Sequence, residues 1–122
     1  MHVCLKLKEV LSHLQEDIRG IREISVLEKD GTLLCRFPEK KNGDSVPDML
    51  ELIQNGSCCS RIGEVNGVVL KGKNHFLAHY AVPETEIFLS IYGDSSINLG
   101  LMNSGARSTC SRIQEIMYIP SD

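Results

Sequence analysis

The first segment of the chain alternates apolar and polar residues with the period of a helix. Its apolar positions recur every three or four residues: Val3, Leu7, Val10, Leu11, Leu14 and Ile18. Such a stripe predicts an amphipathic helix over about residues 3–18. Gly20 follows it, and glycine commonly ends a helix because it adopts a left-handed backbone at no steric cost.

The pattern then changes to that of strands. Short apolar runs at residues 24–27 and 32–37 flank the pair Asp30-Gly31. An Asp-Gly pair favours a hairpin turn, because both residues tolerate a positive φ. We therefore predict two antiparallel strands joined by a tight turn.

Helical spacing returns after a polar loop at residues 38–45. Pro47 and Asp48 suit the first turn of a helix, where proline loses no hydrogen bond and an acid meets the positive end of the dipole. The stripe that follows mixes small residues with large ones: Met49, Leu52, Ile53, Gly56, Cys59, Ser60 and Gly63. We predict a middle helix over residues 47–63 whose small residues let another backbone approach closely.

Three strand-like runs come next, at residues 68–71, 75–82 and 87–92. Only short turns separate them, so neighbouring runs must be antiparallel. We predict a three-stranded meander.

A last helix is predicted from apolar residues that again step by three and four: Leu99, Met102, Ala106, Cys110, Ile113 and Met117. Ser95 or Ser96 is expected to cap its first turn. The element order is αββαβββα, which predicts one α+β domain over residues 1–122. Its architecture is a single layer of five mostly antiparallel strands flanked by three helices.

Composition narrows the class of protein. The chain has 122 residues, 42% of them hydrophobic, and a net charge of −3, which fits one packed domain and argues against a nucleic-acid partner. Its apolar runs are far shorter than the ~20 residues of a membrane span, so we expect no membrane insertion. The five cysteines are odd in number, and Cys58 and Cys59 are adjacent. Reduced thiols in the cytoplasm are the simplest interpretation.

The candidate catalytic and ligand-binding motifs in the sequence are incomplete or wrongly spaced. The run from Gly67 to Asn74 resembles a phosphate-binding loop, but Asn74 replaces the hydroxyl residue and the intervening residues predict a strand. His75 and His79 would lie about 13 Å apart on a strand, too far to hold one metal ion. We therefore expect both to be ordinary surface or half-buried histidines. No nucleophile elbow occurs. We therefore expect no enzyme, no cofactor and no metal, but a binding or assembly module.

Taken together, these elements resemble the roadblock/LC7 family. The residues that carry the likeness are the opening helix running into residues 18–27 (IRGIREISVL), the hairpin at residues 29–34 (KDGTLL), the strand at residues 87–92 (IFLSIY) and residues 97–101 (INLGL) at the start of the last helix. The likeness covers residues 3–118. The long last helix is more similar to those of the bacterial polarity regulators and lysosomal scaffold subunits than to dynein light chains.

The resemblance implies a dimer, either of two identical subunits or with another roadblock-like subunit. The middle helix and the third strand of each subunit would form its interface, joining two sheets edge to edge. The implied interface residues are Met49, Leu52, Ile53, Gly56, Cys59, Gly67, Val68, Val69 and Leu70.

The resemblance also implies a partner, because family members bind small Ras-like GTPases or act as scaffold subunits in complexes that regulate them. The residues expected to touch a GTPase are those beside the apolar stripe of the middle helix: Glu51, Gln54, Cys58, Arg61 and Ile62. The leading hypothesis is therefore a dimeric, non-enzymatic regulator or scaffold for such a GTPase. The alternative is a structural adaptor, such as a motor light chain, without direct GTPase contact.

Overall fold

A computed structural model describes residues 2–38 and 66–118 of the chain. These residues form two helices and five strands: α1 (His2–Asp17), β1 (Ile21–Glu28), β2 (Leu33–Phe37), β3 (Gly67–Lys71), β4 (His75–Ala81), β5 (Ile87–Asp94) and α2 (Leu99–Met117). The predictions for these elements are confirmed to within a few residues at each end. The helix predicted over residues 47–63 lies outside the described residues, so the count of three helices stays a prediction.

The five strands form one sheet in the order β2-β1-β5-β4-β3. All four strand pairings are antiparallel. The predicted hairpin (β1, β2) and the predicted meander (β3, β4, β5) are both present, and pairing of β1 with β5 joins them. The two edges of the sheet are therefore β2 and β3.

The turn between β1 and β2 is longer than the two-residue turn that the Asp-Gly pair predicts. Gly31 has a φ of 96°, and its N–H donates to the carbonyl of Glu28 over 2.9 Å. The N–H of Thr32 donates to the Asp30 carboxylate at 2.9 Å. Hydrogen bonds from Thr32 lower the pKa of Asp30. The aspartate thus shapes the turn through its side chain, while only the glycine takes the left-handed backbone.

Both described helices pack on one face of the sheet. α1 lies over β1 and β2, α2 lies over β4, and the two helices contact each other. The core between helices and sheet includes Leu11, Ile24, Phe76, Leu89 and Ile113, all at most 1% exposed. Neither described helix is both long enough and apolar enough to cross a membrane.

The cap of α2 corrects the sequence expectation. The side chain of Asn98, not of Ser95 or Ser96, accepts the N–H of Leu101 at 3.0 Å. The Ser95 hydroxyl instead donates to the carbonyl of Lys73 at 2.9 Å. The N-cap residue lies immediately before the first helical residue. Because the helix begins at Leu99, Ser95 and Ser96 lie too far before it to cap its first turn.

Asn98→Ala is expected to lower the free energy of unfolding by about 1 kcal/mol, because it leaves an N–H of the first helical turn without its acceptor. Urea denaturation followed by circular dichroism measures this loss. Ser96→Ala is the matched control and should change stability by less than about 0.5 kcal/mol. A larger loss for Ser96→Ala than for Asn98→Ala would contradict the cap assignment.

Candidate dimerisation edge and partner surface

Among residues 2–38 and 66–118, the backbone of β3 pairs with β4 on one side and with no strand on the other. The N–H of Gly72 donates to His75, and the N–H of Ala81 donates to Asn66. In an antiparallel ladder every second residue directs its N–H and C=O toward the partner strand. Because residues 66 and 72 bond to β4, Val68 and Leu70 between them also direct their backbone groups toward β4. Gly67, Val69 and Lys71 direct theirs away from it, and β3 is an edge strand. These outward groups can pair with another strand.

The side chains of this edge are apolar and largely exposed. Val69 is 41% exposed and Leu70 is 47% exposed, while Val68 is half-buried. Gly67 lies against Tyr80, whose ring would be 3.2 Å from a Cβ placed on the glycine. The family resemblance implies that Gly67, Val68, Val69 and Leu70 lie in an interface strand. In the described part of the chain these four residues lie together on β3, an edge strand of the sheet.

The opposite edge, β2, is less suited to pairing. Its register with β1 shifts between Val26 and Leu27, which marks a β-bulge or irregularity. Pro38, which has no N–H to donate, follows its last residue. Bulges and proline are devices that keep an edge strand from pairing with another chain. β3 pairs with β4 in unbroken register from Gly67 to Lys71, so of the two edges it is the one better suited to pairing.

The face of the sheet opposite α1 and α2 carries a polar row. Register places Arg36, Ser25, Ser90, His79 and Val68 side by side across all five strands. Ser25, Ser90 and His79 are at most 2% exposed. Arg36 forms an ion pair with Glu23 at 3.4 Å. The centre of this second face is therefore buried. The alternation of apolar and polar residues along β4 and β5 identifies it as the polar face but does not reveal its burial.

His79 is the unusual member of this row. Its side chain is wholly buried, its ring stacks on Phe88 with 5.9 Å between ring centres, and neither ring nitrogen has a hydrogen-bond partner. Burial lowers its pKa to about 4. The expectation of a surface or half-buried histidine at this position is therefore wrong. His75 is half-buried and stacks on Tyr92 with 5.1 Å between ring centres.

The remaining predicted site residues lie outside the described residues. These are the interface positions Met49, Leu52, Ile53, Gly56 and Cys59 and the partner positions Glu51, Gln54, Cys58, Arg61 and Ile62. Within residues 2–38 and 66–118, no three His, Cys, Asp or Glu side chains come close enough together to hold a metal ion. The described thiols, Cys4, Cys35 and Cys110, are free.

Comparison with known proteins identifies the fold. No family model matches the chain, and neither does any curated protein. A solved roadblock/LC7 domain from Streptomyces avermitilis superimposes with a TM-score of 0.78 at 15% identity, covering 92% of this chain and 98% of that one. MglB from Myxococcus xanthus gives a TM-score of 0.80 at 18% identity, covering 97% and 94%.

A further solved structure, described as MglB with a tetrameric arrangement, gives a TM-score of 0.79 at 14% identity, covering 95% of this chain and 90% of that one. At these identities the likeness concerns the course of the backbone rather than particular side chains. It agrees with the helix and strand order, the sheet and the resemblance seen in the sequence. The chain has the roadblock/LC7 fold.

Proposed function

We propose that this chain is a non-enzymatic dimeric regulator or scaffold for a small Ras-like GTPase. The observation that carries the proposal is the open, apolar and regular edge strand β3 in a domain of roadblock/LC7 fold. Members of the family that the sequence resembles work as dimers and bind such GTPases or belong to complexes that regulate them. The role needs no catalytic residue, because a partner can bias the switch segments of a GTPase by contact alone.

The dimer is proposed to join β3 of one copy to β3 of a second, antiparallel, around a two-fold axis at Val69. This register pairs Val69 with its copy and Gly67 with the Lys71 of the second copy, so all outward backbone groups of β3 find partners. Two five-stranded sheets then become one of ten strands. Closing the edge in this way also removes a site for aggregation.

The middle helix is proposed to supply the rest of the interface and the GTPase contact. Its stripe residues Met49, Leu52, Ile53, Gly56 and Cys59 would pack against the second copy. The neighbouring Glu51, Gln54, Cys58, Arg61 and Ile62 would then stay available to the GTPase. Two copies of this surface in one dimer give a scaffold for one or two partners.

Val69→Asp is expected to turn the dimer into a monomer. A carboxylate at the centre of a strand-to-strand interface loses its hydration without gaining a partner, which costs several kcal/mol. Light scattering coupled to size exclusion should give twice the 13.6 kDa chain mass for the unmodified protein and the chain mass for the variant.

Leu33→Asp on the opposite edge is the matched control for this change. Leu33 is 45% exposed and Val69 is 41% exposed, so the two substitutions place the same charge at similarly exposed edge positions. Leu33→Asp should leave the dimer intact. If both variants remain dimers, or if only Leu33→Asp dissociates, pairing through β3 is refuted.

GTPase binding is tested with the immobilised chain and a panel of Ras-like GTPases, each loaded with GDP or with a non-hydrolysable GTP analogue. We expect at least one GTPase to bind with a preference for one nucleotide state. Arg61→Glu should weaken that binding at least tenfold, whereas the matched change Lys6→Glu at an exposed position of α1 should not. Binding of no GTPase in either state would contradict the proposal. Co-purification of the chain with a large complex free of GTPase would favour the adaptor role instead.

A further inference from the structure

An asparagine followed directly by a glycine leads into β3. Asn66 is exposed and lies just before the strand, and Gly67, also exposed, is its first residue. The carbonyl of Asn66 accepts the N–H of Ala81 at 2.8 Å. The backbone of Asn66 is therefore held by the ladder between β3 and β4, while its side chain is accessible to water.

The backbone nitrogen that follows Asn66 belongs to Gly67 and is uncovered. Gly67 lies opposite Tyr80 in the ladder and directs its N–H away from β4. Among the strands of residues 2–38 and 66–118, none lies beyond β3 on that side. Glycine also has no side chain that could shield its nitrogen. An exposed side-chain amide and an unshielded backbone nitrogen are thus adjacent in the chain.

We propose that Asn66 is a site of spontaneous deamidation, which limits the lifetime of the β3 edge. The backbone nitrogen of Gly67 loses its proton and attacks the side-chain carbonyl carbon of Asn66. The bond from this carbon to Nδ2 breaks, ammonia leaves, and a cyclic imide forms. Water then opens the ring at either of its two carbonyls, which gives aspartate or isoaspartate. The net change is the uptake of water and the release of ammonia.

The two products differ in their effect on the strand. Aspartate keeps the original course of the backbone and adds a negative charge. In isoaspartate the chain runs through the former side chain, so the backbone gains a carbon and the main-chain carbonyl becomes a free carboxylate. This carbonyl is the acceptor of the Ala81 N–H. Isoaspartate therefore breaks the ladder at residue 66 and displaces Gly67 from its place beside Tyr80.

The dimer slows this reaction, a part of the inference that rests on the proposed function. In the pairing around Val69, the N–H of Gly67 donates to the carbonyl of Lys71 of the second copy. This hydrogen bond must open before the nitrogen can attack. Pairing thus protects Asn66, whereas a chain that stays unpaired loses its regular edge with time.

Asn74 provides an internal control in the same chain. It is exposed, it lies in the turn between β3 and β4, and its carbonyl accepts the N–H of Ser95 at 3.1 Å. The next residue is His75, whose half-buried ring stacks on Tyr92. A side chain at that position hinders ring closure, so Asn74 should deamidate more slowly than Asn66.

The test incubates the purified full chain and its Val69→Asp variant at neutral pH and body temperature. Peptide mass spectrometry follows the deamidation of each asparagine, which separates Asn66 from the Asn-Gly pairs at residues 42–43 and 55–56. Labelling with an isoaspartyl methyltransferase identifies isoaspartate. In Val69→Asp, we expect Asn66 to deamidate several-fold faster than Asn74. In the unmodified protein, Asn66 should react about tenfold more slowly than in the variant, because its neighbour's N–H is paired.

Asn66→Gln is the matched variant for the chemistry. Its longer side chain must close a larger and less favourable ring, so labelling at residue 66 should disappear while the mass from light scattering stays that of the unmodified protein. In aged unmodified protein, chains with isoaspartate at residue 66 should elute as monomers. Equal amounts of these chains in the dimer and monomer fractions would refute the effect on the edge.

Two further outcomes separate the deamidation site from the proposed function. If Asn66 reacts no faster than Asn74 in Val69→Asp, the deamidation site is refuted whatever the oligomeric state. If the unmodified protein is a monomer and its Asn66 reacts as fast as in Val69→Asp, the dimer is refuted and the deamidation site stands.

Discussion

Gly93→Ala is expected to destabilise the protein by about 3 kcal/mol, a large share of the 5–15 kcal/mol typical of a folded domain. A Cβ at this position of β5 would overlap the carbonyl oxygen of Gly20, would come within 2.7 Å of the Phe76 ring and would lie 3.1 Å from the Cα of Ile21. Two of these three neighbours are backbone atoms of the sheet and its entry turn, so they cannot move aside as a flexible side chain would. The midpoint of urea denaturation measures the loss.

Gly100→Ala is the control for this substitution. Gly100 lies in the first turn of α2, where a Cβ would meet only the side chain of Asn98, at 3.4 Å, and alanine favours the helix. Its urea midpoint should stay the same or rise. If Gly93→Ala proved as stable as Gly100→Ala, the close packing of β5 against the turn before β1 would be wrong.

Acidification is expected to destabilise the protein by about 3 kcal/mol between pH 7 and pH 4 through His79 alone. Burial lowers the pKa of His79 from 6.5 to about 4, so the folded protein takes up this proton only near pH 4. The unfolded chain takes it up near pH 6.5. The unfolded state therefore binds more protons between these values, and the free energy of unfolding falls as the pH falls.

His79→Leu tests this assignment. Leucine removes the two buried nitrogens that lack partners, so stability at pH 7 should stay equal or increase. The fall in stability between pH 7 and pH 4 should become smaller by about 3 kcal/mol. His13→Leu, at an exposed position of α1, is the control and should retain the full fall. Equal pH dependence in both variants would show that His79 is not responsible.

Sequence patterns predict the local elements of this fold well, because the period of the apolar residues is set by the geometry of each element. The hairpin and the meander followed in the same way from short turns. The pairing of β1 with β5 could not be predicted, because these strands are far apart in the chain and no local signal indicates their register. The sequence also does not distinguish Asn98 from Ser95 or Ser96 as the cap of α2, because the choice depends on the residue at which the helix begins.

In the candidate site, too, the sequence predicts local features but not those that depend on contacts between distant segments. The apolar run at residues 67–70 is visible in the sequence, but only the strand order makes it an edge. The burial of His79 is not visible in the sequence, because alternation places it on the polar side of β4 and carries no information about whether that side is buried as well.

The central claim, that β3 of one copy pairs with β3 of another, is tested most directly by amide hydrogen exchange along this strand, followed by NMR. The N–H groups of Val68 and Leu70 point toward β4 in either state and serve as internal references. The N–H of Val69 points outward, so it is protected only if a second strand covers it. We predict that the Val69 amide exchanges as slowly as those of Val68 and Leu70 in the unmodified protein and rapidly in Val69→Asp. Rapid exchange at Val69 in the unmodified protein, beside slow exchange at its two neighbours, would contradict the claim.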